Sequence, residues 1–242
     1  MNKVWSKIIV SGLLLVSYVS QVQAVGVIVG GSDLLTTSGH IQLETWLGEG
    51  SLNLYNVYDK TAGNTASDFH SAADNQGRTF TLLEITNGMD TRVIGGYNPL
   101  SWESTGGYNI AYLDPDRTAF LFNLTAETIY REAISNINGA YQGFNNALSG
   151  PAFGGGKDLS IDNDLLGGYA NIGYSFGDNS QLGSVSYQNE FAGSYDLFTV
   201  GAMEVFTIEN SNVNPVPVPA AVWLFSSGIL GVAGVSRKKR HS

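Results

Sequence analysis

Few side chains in this sequence are equipped for chemistry. The chain has no cysteine, and its histidines before the basic C-terminus are His40 and His70. Without a thiol there is no disulfide framework and no thiolate metal site, so packing alone must hold the fold. No HExxH, Walker loop or Gly-x-Ser-x-Gly elbow occurs. Acids are abundant. Glu84 and Glu204 are candidates for work on a polysaccharide, which would need two carboxyls about 5–9.5 Å apart in a cleft. Glu204 alternates with apolar residues, so it is either a buried hydrogen-bonded carboxylate or a functional acid. Asp158, Asp162 and Asp164 offer oxygens of the kind calcium takes, but their loop lacks the glycine and terminal glutamate of an EF-hand. They read as solvated turn acids, and no metal is expected. Gly154-Gly155-Gly156 lacks the strand-and-helix context of a phosphate cradle and reads as a flexible loop. Loop Trp and Tyr residues could stack on sugars, though the sequence does not say which are exposed.

The elements around these residues read mostly as strands and turns. The chain is organised about Gly95-Gly96-Tyr97-Asn98-Pro99-Leu100-Ser101-Trp102, between strand-like runs at Phe80–Ile85 and Ala119–Leu124. The paired glycines allow positive φ or close approach of another chain, and Tyr97 and Trp102 supply large, partly polar surfaces. This predicts an aromatic-packed corner of a β-rich core. Residues 25–35 form a small apolar lead-in with a candidate edge strand. Thr36-Thr37-Ser38 offers N-cap hydroxyls for a helix ending at Gly48, with Leu43, Trp46 and Leu47 on its apolar face. A first strand is expected over Leu52–Tyr58, then a short helix over Thr65–Asp74 that buries Phe69 and Ala73. Strands follow at Thr79–Ile85 and Thr91–Tyr97, joined by a hairpin turn at Asn87–Asp90. Ser104–Gly107 reads as loop and Asp114–Asp116 as turn. Phe120, Phe122 and Leu124 belong to one buried strand face. A helix is expected over Ala126–Ile137 and a short strand over Leu159–Ile161. Asp196–Ile208 is apolar on both faces, as befits a central strand of a sandwich.

Composition agrees: 43% hydrophobic residues, 30 glycines and only 14% charged residues favour strands and turns over a helical bundle. The fold class expected is mainly β (α+β), a two-sheet antiparallel β-sandwich with short flanking helices. Charge is unevenly placed. Lys3, Lys7, Arg237, Lys238, Lys239 and Arg240 are half of the twelve bases, and all 21 acids lie between them, so six bases against 21 acids leave the body at −15. Such a surface repels phosphate backbones, which disfavours nucleic acid as a partner.

The two ends read as addresses. Lys3 and Lys7 precede an apolar run from Ile8 to Val19, and Val22-Gln23-Ala24 has the small-residue spacing of a signal peptide cut after Ala24. This gives a signal peptide over 1–24. At the other end a linker over 210–217 leads into an apolar stretch. Residues 218–235 would span about 27 Å as a helix, enough for hydrocarbon, with the basic end left in the cytoplasm. Val216, Pro217, Pro219, Ala220, Ala221 and Trp223, with Arg237-Lys238-Lys239-Arg240, resemble the PEP-CTERM sorting signal in its Val-Pro-x-Pro-Ala form; Val218 stands where other members have glutamate. That resemblance implies a bacterium that makes exopolysaccharide, transient anchoring in the inner membrane, and processing by an exosortase over 218–242.

The body, 36–209, resembles the TLDc domain. The likeness runs through Trp46-Leu47-Gly48, Leu54-Tyr55, Phe69-His70, Gly77, Thr79-Phe80-Thr81-Leu82, Gly95-Gly96-Tyr97, Ser101-Trp102, Ala119-Phe120-Leu121-Phe122, Gly150-Pro151 to Gly154, Asp158-Leu159, and Val200 to Phe206 with Glu204. It implies a β-sandwich without an established catalytic centre and without a cofactor. It singles out His70, Gly95, Gly96, Tyr97, Trp102, Gly154 and Glu204. A shared His70–Glu204 site and a bracing role for His70 both remain open. Eukaryotic members are linked to oxidative-stress resistance, and several bind the V-type proton pump. With an address outside the cytoplasm, the expectation here is a secreted, non-enzymatic binding or structural component of the cell surface or exopolysaccharide matrix. Surface protection against oxidants and a polysaccharide-acting enzyme are the alternatives.

Overall fold

The computed structural model describes residues 26–133, 137–193 and 196–211. The signal peptide with its cleavage point at Ala24, and the sorting segment from Val216 to Arg240, lie outside the described residues. Among the described residues no helix is long and apolar enough to cross a membrane.

The architecture is an antiparallel β-sandwich with short helices. It grows from β1 (Ile28–Val29), α1 (Thr37–Leu47), β2 (Leu52–Asp59), α2 (Ala66–Ala73), β3 (Thr79–Asn87), β4 (Asp90–Asn98) and β5 (Thr105–Ile110). There follow β6 (Phe120–Asn123), β7 (Thr128–Arg131), β8 (Tyr141–Asn146), β9 (Ala152–Phe153), β10 (Leu159–Ile161), β11 (Gly167–Ala170), α3 (Val185–Ala192) and β12 (Asp196–Asn210). The strands run in the order β5-β8-β9-β10-β11-β12-β3-β4-β6-β7, with β2 also on β12 and β1 parallel to β2. β12 is where the layers part. One edge pairs with β3, while the other pairs first with β11 and then with β2. Between those two partners Lys60 fills in: its main-chain N–H donates to Met203 O (2.9 Å), and its Nζ donates to Val200 O (2.7 Å) and Gly201 O (3.2 Å).

The central strands bury both faces. On one side Phe80, Leu82, Tyr97, Phe120, Phe122 and Phe206 pack with Leu43 and Trp46 of α1. On the other, Leu83, Ile85, Ile94, Leu121 and Val205 pack with Phe153, Leu159 and Phe69. Helix α1 forms as its sequence predicts. Thr36 accepts from Gly39 N, and Gly48 closes the helix at φ 77. In α2 the Thr65–Asp68 capping box supplies the first turn, and Phe69 and Ala73 are fully buried.

Tyr97 and Trp102 belong to opposite cores. Tyr97 lies between Phe80 and Phe120, whereas Trp102 donates from Nε1 to Thr79 Oγ1 (2.9 Å) and meets Phe69 and Phe153 edge-on. The corner therefore carries the chain from one core to the other. Close approach, not positive φ, explains its glycines. A Cβ on Gly95 would sit 2.0 Å from Thr81 O, and one on Gly96 2.5 Å from the Phe153 ring.

Two expectations need correction. Residues 126–133 are not a helix. Asn123 Oδ1 accepts from Ala126 N (2.8 Å) and Glu127 takes φ 53, which turns the chain into β7 so that Ile129 and Tyr130 pair with Phe122 and Leu121. The supposed loop at Ser104–Gly107 enters edge strand β5, whose pairing with β8 is irregular at Gly107. Strand β11 and helix α3 had no counterpart in the sequence reading, because glycine and polar residues hide their periodicity.

Two stability measurements follow. Gly96→Val should lower urea stability by about 3 kcal/mol through overpacking against Phe153. Lys60→Met should cost about 2 kcal/mol by stripping two β12 carbonyls of their donor; an unchanged midpoint would show that water serves them equally well.

Candidate functional site

The residues singled out by sequence are mostly tied into the framework. Glu204, 4% exposed on β12, accepts from Ser32 Oγ, Asp33 N (2.6 Å) and Leu34 N (3.2 Å). It thereby clamps the lead-in segment across the sheet. His70 faces acceptors on both sides: Asp74 Oδ1 at 2.7 Å from Nδ1, and Asn146 O (3.0 Å) and Ser149 O (3.2 Å) from Nε2. It braces the loop after β8. His70 and Glu204 share no hydrogen-bond partner, so the structure does not bring them together. Glu84 is half-buried on β3, beside Gly201. His40 donates from Nε2 to Leu52 O (3.0 Å) beside buried Glu44, which accepts from Gly26 N and Leu52 N.

The three acids of the 158–164 loop separate. Asp162 and Asp164 are exposed, but Asp158 is fully buried, which corrects its reading as a solvated turn acid. Asp158 accepts from the N–H groups of Tyr174 (2.9 Å), Ser175 (3.0 Å) and Phe176 (3.2 Å). Gly154 is the residue this demands. It has φ 83, and a Cβ there would lie 2.1 Å from Asp158 Oδ2. Among the described residues no three His, Asp or Glu side chains gather in a way that would hold a metal.

Near Asp158 lies a residue the sequence reading missed. Glu132 is 5% exposed, and neither carboxyl oxygen has a hydrogen-bond partner. Burial pushes its carboxyl up to about 9, against the pull of Arg117 and with the help of Asp158. Burial also raises Asp158 to about 6, opposed by its three N–H donors. Both acids are thus stored in a dry environment, where the neutral form is favoured. The expectation of a helix over 126–137 concealed Glu132, because only the β6–β7 hairpin turns it inward.

Among the described residues, one feature that opens to solvent is a groove of about 600 Å³ at the β5–β8 end of the sandwich. The corner supplies Pro99 and Leu100, the segment after β5 supplies Tyr112, Leu113 and Asp116, and β8 supplies Gln142. Tyr112 and Leu113 are 72% and 66% exposed. Their loop is held from below: Arg117 donates from Nε to Ala111 O (3.1 Å) and from Nη2 to Tyr112 O (3.4 Å), and pairs with Asp114 at 3.1 Å. Ala111 N is fixed on Ala140 O (2.7 Å). In sequence Pro99 and Leu100 were visible within the glycine corner and Asp114–Asp116 as a turn, while Tyr112, Leu113 and Gln142 carried no signal. Neither Glu84 nor Glu204 lines this groove.

The buried acids generate a pH prediction. Each has a folded-state affinity for its proton above the unfolded one, so each contributes stability that is present at low pH and lost as pH rises, through about 6 for Asp158 and about 9 for Glu132. Glu132→Gln should therefore melt close to the parent at pH 4 and increasingly above it towards pH 9. A constant difference in Tm across that range would show that Glu132 does not hold its proton.

Comparison with known proteins places this arrangement. No curated protein matches the chain. A model of the TLDc domain matches residues 28–209, from β1 to the penultimate residue of β12, taking in both cores, the glycine corner and the groove. The chain therefore belongs to the TLDc domain family.

Proposed function

We propose that this TLDc protein is a non-enzymatic binding component of the cell surface or exopolysaccharide matrix, exported by its N-terminal signal and processed at its C-terminal sorting segment by an exosortase. The observation that carries the reading is the division of the polar groups. The buried carboxylates of Glu204, Glu44 and Asp158, and the ring of His70, are engaged by main-chain or side-chain partners inside the fold. The large concave surface is lined instead by apolar residues with a few polar groups, the composition of a ligand site. The acidic body fits a surface that stays soluble outside the cell.

The test is mass spectrometry of the protein from its native host, with and without the exosortase, joined to co-sedimentation with extracted exopolysaccharide. A protein starting at Val25, shortened at its C-terminus and sedimenting with the polymer only when the enzyme is present, is the expected result. An intact tail in both strains would leave a plain membrane anchor and count against the matrix role.

A further inference from the structure

Gln142 is the polar side chain in the groove that the fold does not fully use. It is 3% exposed yet forms part of the groove wall. Its Oε1 accepts from Thr118 N and Ala119 N, both at 3.3 Å. Two main-chain donors on one atom fix the orientation of the amide, because the flipped form would set NH₂ against N–H. Nε2 then carries two N–H bonds that reach no acceptor among the described residues, and the atom is not among those sealed from solvent. Opening on the groove, this donor can pass from water to an acceptor brought there, with its orientation already fixed.

The surroundings restrict what brings it. Tyr112 presents a broad aromatic face on a loop already held by Arg117, so little ordering is required on binding. Asp116 adds a carboxylate acceptor to the wall, and Asp114 lies beside it, 58% exposed. With the body at a net −15, an anionic ligand would be repelled. A pyranose ring without charged substituents meets each condition. Its C–H face is apolar and flat, and each hydroxyl both donates and accepts, matching a carboxylate on one wall and an amide N–H on another.

We propose that the groove is a subsite for an uncharged hexose unit of a polysaccharide. Tyr112 packs on the ring, Gln142 Nε2 donates to a hydroxyl oxygen, and Asp116 accepts from a hydroxyl. This specifies the ligand contact of the matrix-binding reading and rests on it.

The experiment titrates the full chain with a neutral gluco- or manno-oligosaccharide and with a uronic-acid oligosaccharide, by calorimetry, while the side-chain amide of Gln142 is followed by NMR. The expected result is binding of the neutral sugar alone with a shift of the Gln142 NH₂ signals. Tyr112→Ala, a change at an exposed position, should weaken that binding about tenfold, and Asp116→Asn about threefold. Neutral-sugar binding that is equal in parent and both variants would overturn the subsite while leaving the matrix reading in place. Failure of both sugar types to bind would remove the two together. Tighter binding of the uronic-acid sugar would overturn the charge argument and the subsite with it. Self-association abolished by Tyr112→Ala would name a second copy of the chain as the occupant, and would also overturn the proposal.

Discussion

The hydrogen-bond ladder of β12 is the constraint on which the rest of the structure depends. One strand cannot serve three partners along its full length, so its second edge is divided between β11 and β2. A gap is left where neither partner reaches, and unpaired carbonyls there would be costly. Lys60, arriving at the end of β2, closes the gap with its own N–H and with its ammonium. A bulge at Gly201 of β12, against β3, and one at Val57 of β2, opposite Val205, bend the ladders on either side. The sandwich opens at this fork. Glu204 lies between the two bulges, where its carboxylate reaches across to the lead-in segment.

From this frame it is clear why the glycine corner holds its place. A strand leaving β4 must cross from the α1-side core to the inter-sheet core, and Tyr97 and Trp102 are its anchors in the two. Between the anchors Pro99 and Leu100 have no core to enter, so they form the rim of the groove. The groove is in this sense a by-product of the crossing, made rigid by two buried aromatics. Rigidity of that origin is what a binding surface needs, since groups held in place lose little entropy when a ligand arrives.

Much of the fold was legible in the sequence because its signals are local. The Thr36 cap, the Gly48 stop, the short helix after Thr65 and the strand runs of β3, β4 and β12 depend on neighbours within a few residues, and the structure has each of them. What was not legible depends on distant partners. Strand β7 carries a helix-compatible sequence and is made extended by pairing with β6. Strands β5 and β11 are glycine-rich and lack alternation, so only their partners define them. The same divide runs through the site residues. Glu204 was marked by its alternation among apolar neighbours. Glu132 and Gln142 became meaningful only once hairpin and sheet had turned them inward. Exposure of Tyr112 is a property of the assembled surface, and no spacing encodes it.

Arg117 connects the groove to the buried acids. Its charge acts on Glu132 through space, and its guanidinium holds the Ala111 and Tyr112 carbonyls and Asp114. Asp114 and the carbonyls of the groove loop draw the charge of Arg117 toward the surface, while burial favours the neutral form of Glu132. That imbalance favours the loop conformation seen, because releasing those carbonyls would leave a cation facing a protonated acid in a dry setting. An ionised Glu132 would compete for the same guanidinium. Keeping the acid protonated therefore helps keep the Tyr112 loop in place, and gives the raised proton affinity of Glu132 a structural role.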